Sequence, residues 1–228
     1  MKGPSSATPQ WFLDGAKSMH ERRRARVFLS VLVGVVMAAV SASAASASPE
    51  WHFNGTLLPY TTQETVTAEA TAASLTFPGL TTTCEPFVFE LEVQNLLGGP
   101  GVGEVTGVPL SNCHTNSKFC AVETAEAENL PWPVHLTTID SEHYFVIEGV
   151  TLTFLYGGEL CALGETFVTI EGAAGGLVDD STHSVTFNST TMTAVGAQLK
   201  AFSQKTELNG TFSWFPTGTR AGLPLTVL

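Results

Sequence analysis

The side chains able to do chemistry in this 228-residue chain are few and scattered. Cysteines stand at 84, 113, 120 and 161, and beyond residue 47 histidines stand at 52, 114, 135, 143 and 183. No Cys-x-x-Cys pair occurs, so zinc-ligand spacing is missing, and an even cysteine count in an exported chain reads as two disulfides. His135 and His143 flank a turn at Asp140-Ser141, where they would meet as cross-strand neighbours, but no third ligand lies nearby. No metal and no cofactor are expected. There is no Gly-x-Ser-x-Gly elbow, and Ser184 next to His183 points to the opposite face of a strand. Glu159, Glu165, Glu171, Asp179 and Asp180 are spread as on a solvated face rather than paired for glycoside hydrolysis. The oxygens of Asp179-Asp180-Ser181-Thr182 lack the alternating spacing of a calcium loop and read as a turn. The chain is therefore expected to be non-catalytic. Two loops combine polar groups that could cooperate: Asn112 to Ser117, carrying His114, and Asp179 to His183, carrying Asp179, Asp180 and His183.

Trp51, Trp132 and Trp214 are the candidate ligand-contacting residues, because aromatic faces on β-proteins can stack on sugars. Core packing competes with that role: Trp132 sits between Pro131 and Pro133, and Trp214 lies between Phe212 and Phe215 in a segment that reads as core. Gly98 to Gly103 is no phosphate cradle, since a strand pattern follows it where a helix N-terminus would be needed. Asn54, Asn188 and Asn209 each begin an Asn-x-Ser/Thr sequon.

The elements that must position these residues begin after an export signal. Residues 21–26 are basic, 27–40 apolar and 41–48 small, the order of a secretory signal peptide with cleavage after Ala44 or Ala47. A membrane anchor would need about 20 strongly apolar residues, and the Ala/Ser-rich last third of this segment is only weakly apolar. The signal peptide helix is assigned to 1–47, of which 1–18 precede Met19, a second start from which a compact signal would run. A single domain follows over 48–228. Cleavage after Ala47 removes Lys2, Lys17, Arg22, Arg23, Arg24 and Arg26 but only Asp14 and Glu21, taking the formal charge from −11 to −15. An acidic chain with four cations repels polyanions, so neither nucleic acid nor, after cleavage, a membrane is an expected partner.

From Trp51 onward apolar residues recur at period two with threonine between them. Strands are expected at 51–58, 64–77, 84–94, 102–112, 119–128, 133–140, 143–156 with a break at Gly149, 165–171, 183–195, 206–215 and 223–228. Turns are expected at Gly98-Gly99, Asp140-Ser141, Gly172 to Gly176 and Asp179-Asp180. This spacing predicts an all-β fold, an antiparallel β-sandwich of immunoglobulin-like or jelly-roll-like form. If 84–94 returns as 102–113, paired residues sum to 197. That register sets Phe87 opposite Leu110, Phe89 opposite Val108, Leu91 opposite Thr106 and Cys84 opposite Cys113. By elimination Cys120 then pairs with Cys161. The recurrence of Asn-Gly-Thr at 54–56 and 209–211 suggests that the first and last strands share an environment, as neighbours in one sheet.

The order Cys84, a hairpin ending in Ser111-Asn112-Cys113, then Leu130-Pro131-Trp132-Pro133, a strand pair and a Gly-Gly turn before Cys161 resembles exported β-rich proteins of high-GC Gram-positive bacteria. The resemblance implies compartment and fold and assigns no activity. The expected role is a secreted, non-catalytic binding or structural protein acting on a cell-wall or extracellular polymer or protein. The alternative is a secreted hydrolase of a glycan or ester.

Overall fold

In a computed structural model the described residues are 48–228 apart from 78, 160 and 162, and the segment read as a signal peptide lies outside them. The strands are β1 (Trp51–Phe53), β2 (Thr56–Leu57), β3 (Glu64–Ala70), β4 (Ala73–Phe77), β5 (Leu80–Cys84), β6 (Phe87–Asn95), β7 (Gly101–Gly107) and β8 (His114–Thr115). They continue as β9 (Ala121–Ala127), β10 (Trp132–Ile139), β11 (Glu142–Gly157), β12 (Thr166–Asp179), β13 (Ser184–Phe187), β14 (Leu199–Ala201), β15 (Gln204–Pro216) and β16 (Leu225–Val227). Among the described residues one short helix, α1 (Ser189–Ala194), interrupts them.

All pairings are antiparallel, as the alternation predicts, but the expected sandwich is corrected. The ladder β3-β6-β7-β10-β11-β12-β13-β15 returns to β3, closing an eight-stranded barrel with no free edge. Three strands, β11, β12 and β15, run on past this ring into a second tier. There the order is β9-β11-β12-β14-β15-β4-β5-β8, and no ladder joins β8 to β9. Glycine lets β12 pass between tiers. Gly172, expected to open a turn, lies within the strand at φ +136°, and a Cβ there would stand 2.0 Å from the Gln198 carbonyl oxygen.

The period-two pattern decides which side chains fill the barrel. Phe87, Phe89 and Leu91 of β6 point inward while Glu90 is exposed. Phe87, Phe89, Phe187 and Phe212 form a tilted and edge-to-face cluster with centroids 5.1–6.3 Å apart. In the second tier Tyr156 is fully buried, its hydroxyl 2.6 Å from that of Thr82. Burial pushes the Tyr156 phenol from 10 up to about 12, the Thr82 bond partly opposing it. Since the folded chain keeps this proton at a pH where the unfolded chain loses it, the contribution of Tyr156 to stability is complete below pH 10. It should then fall by about 1.4 kcal/mol per pH unit until about 12. Urea unfolding at stepped alkaline pH checks this: Tyr156→Phe should flatten the decline, and an unchanged slope would refute it.

The first tier is closed at one end by a small sheet in which β1 pairs with both β2 and β16. Its plug is Trp51, which is 0% exposed and packs edge-on against Trp214 and Phe145. The strap of chain from Thr217 to Leu228 crosses this end. Buried Glu64 anchors it by accepting from the Thr219 backbone N–H and hydroxyl and by pairing with Arg220 at 3.4 Å.

Both disulfides have the expected pairing, Cys84–Cys113 and Cys120–Cys161. The sum-197 register holds for Phe87 opposite Leu110 and Glu90 opposite Gly107, after which a bulge shifts it by one. Leu91 therefore faces Val105 and not Thr106. The first and last strands, β1 and β16, do pair in one sheet, but the two Asn-Gly-Thr segments are not neighbours. Asn54-Gly55 is a hairpin turn, whereas Asn209-Gly210 lies within β15, where the strand changes partners from β4 to β13. The expected strand over 183–195 ends at Phe187 and becomes α1, because the Asn188 side chain accepts from the Thr190 and Thr191 amides as an N-cap.

Candidate functional site

Sequence reasoning names tryptophans and two polar loops, and the fold brings some of them together at the capped end. Trp214 lies on β15, whose backbone N–H donates to the His183 carbonyl at 2.9 Å. His183 closes the turn from β12 to β13 with φ +53°. Across from them the strap supplies Gly222, Leu223 and Pro224. Together with Phe215 and Pro216 these residues line a cleft of about 280 Å³. Its walls are mostly apolar: Phe215 is 51% exposed and Leu223 38%. Among the described residues the half-buried His183 ring is the only ionisable side chain in the lining, and its Nδ1 is buried without a hydrogen-bond partner there.

The turn beside the cleft is fixed by its own carboxylates. Asp179 accepts from the backbone and hydroxyl of Ser181, and the Ser181 hydroxyl is the main cause of a carboxyl pKa below its usual value. Asp180 accepts from the Val227 amide at 2.7 Å, tying β16 to the barrel. The pattern is that of a turn, as expected, with Asp180 bracing the strap. His114 belongs instead to β8 in the second tier, exposed, its Nδ1 3.3 Å from the Asn112 carbonyl. The two polar loops therefore sit on different tiers and share no hydrogen bond among the described residues.

Burial corrects the candidate contact role of Trp51 and Trp132. Trp51 and Trp132 are core residues, the Trp132 indole donating to the Glu128 carbonyl at 2.8 Å, and only an edge of Trp214 reaches the cleft. The aromatic residue that presents a face is Phe215, which sequence reasoning takes as core. Strand parity carries the signal: Phe212 and Trp214 face inward, so Ser213 and Phe215 must face out. His135 and His143 do not meet, because His135 is opposite Val146 and His143 opposite Thr138.

A second aromatic surface lies at the rim of the second tier. It carries Phe119 from the β8–β9 connection, Phe167 at the start of β12 and Phe202 in the β14–β15 turn, all about half exposed or more. Lys118, Lys200 and Lys205 flank it, but Glu171 opposes Lys200, Glu207 bridges Lys205 at 3.3 Å and Glu159 lies beside Lys118 in a shallow depression. The rim is thus charge-balanced and offers no cationic patch. Among the described residues no group of three or more metal-ligating side chains assembles, and no helix is long and apolar enough to cross a membrane.

No known protein family, no curated protein and no solved structure matches the chain.

Proposed function

We propose that the protein is exported through a cleaved N-terminal signal and acts outside the cytoplasm as a non-catalytic binding or structural protein. In this reading it belongs with the exported β-rich proteins of high-GC Gram-positive bacteria that its cysteine and Pro-Trp-Pro order resembles. Its contact point is the cleft between His183, Trp214 and Phe215 on one side and the strap on the other. There it holds a ring or apolar side chain of a cell-wall or extracellular polymer or protein. The observation that carries the proposal is the exposed Phe215 ring beside Leu223, in a concave setting on a closed barrel. Rigid aromatic anchors in pockets dominate binding energy at such surfaces. Two disulfides are consistent with an oxidising compartment.

Co-sedimentation of the protein with insoluble wall polymers, namely peptidoglycan, chitin and cellulose, tests this. Retention on one of them should weaken at least about tenfold in a Phe215→Ser/Leu223→Ser variant whose melting temperature is close to that of the parent, as expected for loss of hot-spot side chains. Equal retention of both proteins, or of neither, would sink the cleft reading. Release of soluble product would support the hydrolase alternative.

A further inference from the structure

The two Asn-Gly-Thr segments place the same chemistry in opposite settings, and from this we infer that Asn54-Gly55 is a site of spontaneous covalent modification. Here the Asn54 amide converts to aspartate and isoaspartate while Asn209 is protected. In an Asn-Gly pair the glycine backbone nitrogen is the least hindered nucleophile available to the side-chain amide. Gly55 N bonds to Asn54 Cγ, the Cγ–Nδ2 bond breaks, and Nδ2 leaves as ammonia with the proton from Gly55. Water then opens the five-membered imide at either carbonyl, giving aspartate or isoaspartate at position 54. The step needs water alone and quickens as hydroxide rises.

Reaching the imide requires the turn to leave its native conformation, and the two sites differ in what must open. Asn54 and Gly55 are exposed, with φ +50° and +72°, between a three-residue and a two-residue strand. The Gly55 amide donates no hydrogen bond among the described residues. Opening this hairpin tip disturbs the Phe53–Thr56 pair and one bond from the Asn54 amide to the strap. Asn209 and Gly210, by contrast, lie in the middle of thirteen-residue β15, opposite Ser74 of β4 and Phe187 of β13. A Cβ on Gly210 would stand 2.7 Å from that of Ala73, so the backbone there is closely packed. Exposing that amide means unzipping the barrel.

The site is joined to the candidate cleft. The Asn54 backbone N–H donates to the Pro224 carbonyl at 2.8 Å, and Pro224 is part of the strap wall. Isoaspartate inserts an extra atom into the backbone of a two-residue turn, so this bond cannot keep its geometry and the strap is released locally.

The full protein is incubated in warm, mildly alkaline buffer, with a parallel sample in concentrated urea, and both are followed by peptide mapping that separates asparagine, aspartate and isoaspartate. In urea the sites share the local sequence Asn-Gly-Thr and should convert at similar rates. In native buffer Asn54 should stay within about tenfold of its urea rate, while Asn209 slows by at least about a hundredfold, as expected for a tip that opens locally and a strand that does not. An Asn54→Gln variant should remove the conversion and keep hydrogen exchange at 222–225 slow during incubation, whereas exchange there should rise in the converted parent. Retention of the Asn54 amide in native buffer as firmly as that of Asn209 would overturn the inference. So would conversion without any change at 222–225 overturn the link to the strap.

Discussion

Replacing Cys84, Cys113, Cys120 and Cys161 together by serine is expected to lower the unfolding free energy by about 7 to 8 kcal/mol, enough to unfold many domains of this size. The loops they close span sequence separations of 29 and 41. On the chain-entropy account each is worth about 3.5 to 4 kcal/mol, and because the loops follow one another without overlap the contributions add. Their placement explains why covalent bonds are needed there. The second tier lacks a ladder between β8 and β9; Cys84–Cys113 holds the chain entering β8 to the end of β5, and Cys120–Cys161 holds the chain entering β9 beyond the end of β11. Urea unfolding of oxidised and reduced protein checks the size of the effect. Reduced protein within about 1 kcal/mol of the oxidised form would contradict the entropic account.

The second large effect concerns the plug at the other end. Trp51→Ala should cost about 3 to 5 kcal/mol, the range for deleting a fully buried large aromatic. The side chain has no room to be replaced by collapse of its neighbours. Its indole donates to the Val102 carbonyl at 3.1 Å, and its backbone N–H and carbonyl are both held by the Asn95 side chain at 2.7 and 3.0 Å. Gly101 is packed so closely that a Cβ would lie 2.8 Å from the indole nitrogen. Asn95 is itself buried and also donates to the Leu58 carbonyl, so it staples both sides of the cap hairpin to β6. Thermal unfolding of Trp51→Ala and Trp51→Phe should rank alanine well below phenylalanine. Equal loss in both would assign the effect to the indole hydrogen bond instead of to packing.

Local chemistry was legible in the sequence wherever one residue or one hairpin decided it. The β6–β7 register and the Cys84–Cys113 pairing follow from alternation and the Gly98-Gly99 turn, and Cys120–Cys161 by elimination, until one unpaired residue on β7 shifts the ladder. Nothing in the local pattern marks that bulge. The strand expected over 183–195 missed α1 because Thr190 and Thr191 are β-branched and fit a strand pattern; the helix rests on the Asn188 cap. Closure of the barrel rests on β15 meeting β3, residues some 150 positions apart in sequence. No periodicity specifies such a pairing, so a sandwich and a barrel look alike from within each strand. At the cleft, Trp214 and His183 were visible as candidates, whereas Phe215 was hidden by its neighbour Phe212 despite opposite strand parity. The strap residues Leu223 and Pro224 gave no signal of this role, since it comes from long-range bonds: Glu64, Asp180 and the Asn54 amide hold the strap across the barrel end.

The proposed contact surface is the capped end and not the rim of the second tier. Hydrogen exchange of the protein free and loaded on the polymer that retains it addresses this directly. Protection should appear over 182–184, 213–216 and 220–225, with the segments around Phe119, Phe167 and Phe202 unchanged. Protection confined to the Phe119, Phe167 and Phe202 rim, with the cleft segments exchanging as in the free protein, would contradict the claim.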